Sequence, residues 1–163
     1  MNDVEQWKCL TDIPENIKKI PYRGCGLDDV YLVGGYEVVS TPHGEGIAIR
    51  DMDGLHRAIG EHLATQKKEL SGRELRFLRK EMDLTQSELG RFIGLSSQQV
   101  ARWEKAQQPI SGPAEFLLRK LYLEHIDGKA SLKELVEELD STDVNASDEQ
   151  VFTESNGQWR AVA

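Results

Sequence analysis

Two Ser/Thr-x-x-Glu tetrapeptides, Ser71–Glu74 and Thr85–Glu88, predict helices in the middle of the chain. Each is a capping box, in which the hydroxyl and the carboxylate satisfy free backbone N–H groups at a helix N-terminus. Apolar residues follow each box at helical spacing, which predicts two successive helices. Ser96 or Ser97 is suited to cap a third helix shortly afterwards.

The segment between the second and third helices predicts a tight turn. It reads Ile93-Gly94-Leu95-Ser96, and Gly94 is placed to end the second helix. Gly90 lies inside that helix, where glycine costs roughly 1 kcal/mol relative to alanine, so its presence indicates a close approach by the third helix. The apolar side chains expected between these two helices are Leu89, Leu95, Val100 and Trp103.

The third helix keeps one polar face whose chemistry suits the major groove of DNA. Glutamine can pair with adenine and arginine with guanine, and Gln98 and Arg102 are one helical turn apart. Ser97 and Gln98 lie at the N-terminal end, which is the part that enters the groove. We name Ser97, Gln98 and Arg102 the recognition surface and predict that they contact bases. Phosphate contacts are predicted for Gln86, Arg91, Gln99 and Lys105.

The charge distribution is compatible with a DNA ligand, although the net charge is -8. Residues 67–123 hold 11 basic and 7 acidic side chains, whereas residues 1–66 hold 6 and 11 and residues 124–163 hold 3 and 10. DNA affinity depends on local neutralisation of phosphates rather than on total charge, so the acidic flanks do not exclude it. The alternative is a helical packing unit with an ordinary polar surface.

The N-terminal part follows a different pattern. Three stretches rich in β-forming residues predict a small antiparallel meander: Val30–Val33, Tyr36–Ser40 and Gly46–Arg50. Apolar residues at four-residue spacing then predict an amphipathic helix from Asp53 to about Gln66, with Asp53 as its N-cap.

Together these patterns predict an α+β fold with three parts. Residues 1–66 form a small α+β domain for partner binding or dimerisation, and residues 71–139 form an all-α, five-helix DNA-binding domain. Its fourth and fifth helices are expected at 114–125 and 131–139. Residues 140–163 are rich in Ser, Asp, Asn and Glu, which predicts a disordered acidic tail.

The helical segment resembles a known family. Residues 76–90 and 100–105 look like the Cro/C1-type (XRE) helix-turn-helix of phage repressors, most specifically at Leu84–Leu89 and Trp103–Glu104. For single positions, the resemblance implies a phosphate contact by Gln86, base contacts by Ser97, Gln98 and Arg102, and a structural salt bridge between Arg79 and Glu104.

A looser resemblance covers residues 22–123. The pattern in Tyr22–Leu32, then Thr41–Glu45, then a helix with Leu55–His56 and the helix-turn-helix, is similar to MqsA-type antitoxins. That family joins a zinc-binding N-terminal domain to a DNA-binding dimerisation domain, so the resemblance implies a toxin protein as partner.

Zinc itself is not expected, because the cysteine pattern departs from that family. Structural zinc sites use four thiolate or imidazole ligands, commonly in Cys-x-x-Cys pairs. Here Thr41 and His43 stand at the second pair, and Cys9 stands alone. The alternative donor set is Cys9, Cys25 and His43 with another histidine.

The sequence thus predicts a DNA-binding transcriptional regulator, most simply a repressor that binds a palindromic double-stranded operator as a homodimer, because one unit reads only a half-site. The alternative is an antitoxin that neutralises a toxin protein and autoregulates its operon. A third interpretation, an enzyme or metal-dependent sensor, lacks support because no catalytic set is recognisable.

An acidic start without an apolar h-region and the lack of a long apolar run predict a cytoplasmic protein that does not bind membranes.

Overall fold

The computed structural model describes residues 18–128, residue 134 and two short strands near the C-terminus. The strands are β1 (Ile20–Pro21), β2 (Tyr31–Leu32), β3 (Tyr36–Thr41), β4 (Gly44–Ile49), β5 (Phe152–Ser155) and β6 (Gln158–Ala161). The helices are α1 (Met52–Thr65), α2 (Gly72–Glu81), α3 (Gln86–Phe92), α4 (Ser97–Glu104) and α5 (Gly112–Ile126). Residues 18–128 belong to one compact unit, and β5 and β6 belong to a second.

The α+β class is confirmed, but the first four strands form two separate sheets rather than one meander. β1 pairs with β2, and β3 pairs with β4 from Tyr36 opposite Ile49 to Thr41 opposite Gly44. The sequence pattern did not predict β1, because Pro21 lacks a backbone donor. Proline is tolerated there since β1 is an edge strand, where one side of the backbone needs no partner.

The N-cap of helix α1 lies two residues before the predicted one. Asp51, not Asp53, caps it: the Asp51 carboxylate accepts a hydrogen bond from the Gly54 N–H over 3.1 Å. The helix packs against α5 and α2. At Gly60 it approaches α5 so closely that a β-carbon there would overlap the Tyr122 ring.

Helices α2 to α5 form the main core. Both predicted capping boxes are confirmed, at Ser71 and Thr85. Helix α5 begins at Gly112 and so includes Pro113, which is favourable in a first turn because its missing N–H has no helical partner there. The largest fully buried side chains are Leu75, Leu78, Leu89, Val100, Leu118 and Tyr122.

The segment between the predicted domains 1–66 and 71–139 lies inside the first unit. Leu70 is buried, and Lys67 Nζ lies 3.1 Å from a carboxylate oxygen of the buried Glu74. This hydrogen bond raises the pKa of Lys67. The predicted boundary at residues 66–71 is therefore a packed turn against α2, and a functional division at that position stays a prediction.

The C-terminal region differs in part from the predicted disorder, because β5 and β6 pair as an antiparallel hairpin. Apart from residue 134, which is helical, the predicted helix 131–139 lies outside the described residues, as does most of the predicted tail. Within the part of the chain that is described, no helix has the length and apolar character needed to cross a bilayer.

Candidate nucleic-acid interface

The turn between α3 and α4 brings the two helices into close contact. Gly94 has φ +71°, a left-handed conformation that favours glycine. The Leu95 N–H then donates to the Gly90 carbonyl over 2.7 Å. A β-carbon on Gly90 would lie 2.5 Å from the Leu95 carbonyl oxygen, so this position requires glycine, as its place inside a helix indicated.

The contact between the helices uses three of the four apolar side chains predicted for it. Leu89, Val100 and Trp103 are buried. Leu95 is 39% exposed, so its predicted place in this core is wrong. Leu95 belongs to the turn, where its backbone packs on Gly90 while its side chain remains partly in solvent.

Helix α4 presents the recognition surface to solvent. Ser96 caps the helix by accepting a hydrogen bond from the Gln99 N–H over 3.2 Å. Val100 and Trp103 hold its inner face in the core. The three residues of the recognition surface are all exposed: Ser97, Gln98 and Arg102.

A buried ionic cluster fixes α4 relative to α2 and α3. Arg79 on α2 forms a two-pronged contact with Glu104 at the end of α4, with N···O distances of 2.5 and 3.0 Å. Arg79 also donates to the Leu84 carbonyl over 2.7 Å. The Gln86 amide, at the start of α3, donates to the second Glu104 oxygen over 2.9 Å. Both Glu104 oxygens are therefore bound, and three helices meet at one carboxylate.

The positions predicted to contact phosphate have diverse environments. The Gln86 amide is held by Glu104, and the Gln99 amide donates to the Gln108 side-chain oxygen over 2.8 Å. Arg91 lies over the Phe92 ring, with its guanidinium carbon 5.3 Å from the centroid. Lys105 is exposed at the C-cap of α4. Their contacts with phosphate stay predictions.

Comparison with known families agrees with this geometry. The model of the helix-turn-helix family matches residues 75–114, from the first turn of α2 to the first turn of α5. This segment is an XRE-type helix-turn-helix domain. It supports a role for the chain as a DNA-binding regulator of that type. Comparison with curated proteins and with solved structures gives no match.

Of the residues weighed as metal ligands, Cys25 and His43 lie within the part of the chain that the structure describes. Cys25 is a free thiol, and Cys9 lies outside the described residues. No group of three or more His, Cys, Asp or Glu side chains within residues 18–128 is arranged to hold a metal ion.

The structure also contains a polar network that the sequence did not predict. The His56 ring nitrogens lie 2.9 Å from the Tyr22 hydroxyl and 2.9 Å from a Glu81 oxygen. The ring packs edge-on against Phe77. Because these partners are 34 and 25 positions away in the chain, no local pattern could have identified them.

Proposed function

We propose that the chain is a transcriptional regulator that inserts α4 into the major groove of a specific double-stranded operator. The observation that carries this proposal is the exposed recognition surface on a helix that lies within an XRE-type helix-turn-helix domain. Arginine and glutamine are suited to paired hydrogen bonds with guanine and adenine, which provide base discrimination.

The buried ionic cluster supports a fixed docking geometry. Arg79 and Glu104 connect α2 to the end of α4, and Gln86 adds a bond from α3. A recognition helix that is held in place before binding loses little conformational freedom on binding, and this favours affinity.

We further propose that the protein acts as a repressor and binds a palindromic operator as a homodimer in the cytoplasm. A single helix-turn-helix contacts only one half-site, and two-fold related units account for a two-fold related operator. The acidic flanking segments do not oppose this arrangement, because they lie outside the basic segment of residues 67–123.

The experiment begins with selection of bound duplexes from a random DNA library by the full-length protein. We expect enrichment of a palindromic site. The Arg102→Ala variant should then bind that site more weakly by about 1–3 kcal/mol and accept other bases at one position in each half-site. Fluorescence anisotropy titrations at fixed salt concentration measure both effects.

A matched control is Arg57→Ala, which removes an exposed arginine of α1. It should leave operator affinity unchanged. If Arg102→Ala and Arg57→Ala bind equally well, α4 does not present the base contacts. If no sequence is enriched, the chain is not a sequence-specific regulator.

A second candidate function is that of an antitoxin, and the β3–β4 hairpin favours it. Val38 and Ile47 are paired across the strands and remain 59% and 49% exposed, so one face of the hairpin offers apolar area to a protein partner. Co-expression with the product of the neighbouring reading frame, followed by affinity purification of the tagged chain, tests this candidate. Failure of the two proteins to associate would exclude that product as the toxin.

A further inference from the structure

A cavity of about 520 Å³ lies between the loop Gly24–Gly26, helix α1 and helix α2. We propose that it binds a small organic anion through a carboxylate or phosphate group. The residues that line it belong to that loop and to α1 and α2, and none belongs to α4. The site is therefore separate from the proposed DNA contact and does not depend on it.

Two cations at this cavity are available to a ligand. Arg73, Arg76 and Lys80 of α2 all line it, and Arg73 is paired with Asp28. Within residues 18–128, neither Arg76 nor Lys80 forms an ion pair. They are four positions apart on one helix, so they point to the same side. Two neighbouring cations form charge-assisted hydrogen bonds with a carboxylate or phosphate group.

Glu81, the acidic residue that lines the cavity, already has a side-chain partner. A Glu81 oxygen lies 2.9 Å from His56 Nδ1, and His56 Nε2 lies 2.9 Å from the Tyr22 hydroxyl. Burial, followed by the nearby Cys25 and Glu81, raises the pKa of Tyr22, so this hydroxyl keeps its proton and can take part in the network as a donor. The network joins the segment before the loop to α1 and α2, and thereby fixes the walls of the cavity.

The size and walls suit an organic molecule rather than a bare ion. Pockets for small ligands commonly measure roughly 300–1,000 Å³. The loop contributes two glycines, and Gly26 has φ +81° with open space around the position of a β-carbon. A ligand can therefore approach the loop backbone while its anionic group contacts Arg76 and Lys80.

The test measures ligand binding to the full-length protein without DNA. Melting temperatures are recorded with inorganic phosphate, glycerol 3-phosphate, succinate or citrate, against sodium chloride at matched ionic strength. We expect a saturable rise in Tm with one class of anion, because a ligand that binds only the folded state stabilises it. The phosphate and carboxylate probes distinguish the two sources of the anionic group.

Variants then assign the effect to the cavity. Isothermal titration with the best probe should show about a tenfold loss of affinity for each of Arg76→Gln and Lys80→Gln, since each removes a charged hydrogen bond. Lys68→Gln, which replaces an exposed lysine that does not line the cavity, should bind as the unaltered protein does. Both target side chains are exposed, and circular dichroism checks that each variant is folded.

Three results would overturn the proposal. They are the absence of stabilisation by any probe beyond that of chloride, equal affinity in Arg76→Gln, Lys80→Gln and the unaltered protein, and an equal loss of affinity in Lys68→Gln. None of these results depends on operator binding, so the failure of this inference is distinguishable from that of the proposed regulator.

Discussion

At the scale of single residues, the ion pair between Arg79 and Glu104 has the largest expected effect on stability. Their side chains are only 11% and 5% exposed, and they contact each other through two N···O pairs. A buried ion pair loses most of its hydration, and removal of one partner leaves the other charge buried without compensation. This pair therefore holds α4 in place only while both members are present.

We expect Arg79→Ala and Glu104→Ala each to lower the free energy of unfolding by about 3–5 kcal/mol. The free energy of unfolding of the Arg79→Met/Glu104→Leu double variant should fall by less than the sum of the two single losses, because no buried charge is left alone. Urea unfolding measures all three values.

The exposed pair of Glu37 and Arg50 provides a control, with an N···O distance of 3.0 Å. Glu37→Ala should cost at most about 1 kcal/mol, since solvent screens exposed ion pairs. If Glu37→Ala and Glu104→Ala lowered the free energy of unfolding by similar amounts, burial would not explain the contribution of the Arg79–Glu104 ion pair to stability.

The sequence predicted the residue types of the recognition surface but not every side-chain partner. The spacing of Gln98 and Arg102 follows from helix geometry alone. The bond from the Gln86 amide to Glu104 spans 18 positions and exists only because α3 and α4 pack together. A side chain expected to contact phosphate thus has an internal partner in the folded chain.

At the scale of secondary-structure elements, the turn between α3 and α4 depends on two glycines for different reasons. Gly94 supplies a positive φ, and no neighbour lies within 4 Å of its β-carbon position. The backbone conformation at Gly90 does not itself favour glycine, but the Leu95 carbonyl oxygen occupies the space that a β-carbon needs. The packing of α4 on α3 is therefore limited by sterics at Gly90.

We expect Gly90→Ala to lower the free energy of unfolding by about 1–3 kcal/mol, because added volume in a packed contact displaces the backbone. Gly46→Ala, whose new β-carbon would make only ordinary contacts of 3.5 Å with the Thr41 and Val39 side chains, should instead be neutral or stabilising by up to about 1 kcal/mol. Thermal and urea unfolding of both variants provide the comparison. A neutral Gly90→Ala would show that the turn relaxes without cost.

Element boundaries were predictable wherever the signal is local. The capping boxes at Ser71 and Thr85 place the starts of α2 and α3, because the cap and its partner are three positions apart. β1 had no such signal, since a two-residue strand is defined by its pairing with β2. The N-cap of α1 was misplaced because Asp51 and Asp53 are both suitable in sequence, and only the bond to Gly54 distinguishes them.

At the scale of the whole molecule, α1 joins the helices of the DNA-binding segment. Its contact with α5 centres on Gly60 and Tyr122, and Tyr122 is almost completely buried. Burial, with a smaller effect of Glu81, raises the pKa of Tyr122 to about 12 from an ordinary value near 10. The folded state therefore favours the protonated phenol.

This shift gives a stability change at alkaline pH. The contribution of Tyr122 is fully present below the pKa of the unfolded chain, near 10, and is lost as pH rises from there to about 12. We expect the free energy of unfolding of the unaltered protein to fall through this range more steeply than that of Tyr122→Phe. Urea unfolding at several pH values between 8 and 12 measures the difference.

Lys67, whose pKa is also raised, loses stabilisation over an alkaline range in both proteins, so it cancels in this comparison. Tyr31→Phe is the matched control, because Tyr31 is exposed. The free energy of unfolding of Tyr31→Phe should fall with rising pH as steeply as that of the unaltered protein. Parallel pH profiles for Tyr122→Phe and the unaltered protein would contradict the role of burial at Tyr122.

The sequence by itself determined the helix-turn-helix, because helix caps, the spacing of apolar residues and the positions of glycines are signals that span only a few residues. It also determined which polar residues α4 could present. Only the tertiary structure decided the pairing of β1 with β2, the packing of α1 on α5, the exposure of Leu95 and the His56 network. These features depend on contacts between residues far apart in the chain, and such contacts are specified by the complementary shapes and charges of whole surfaces.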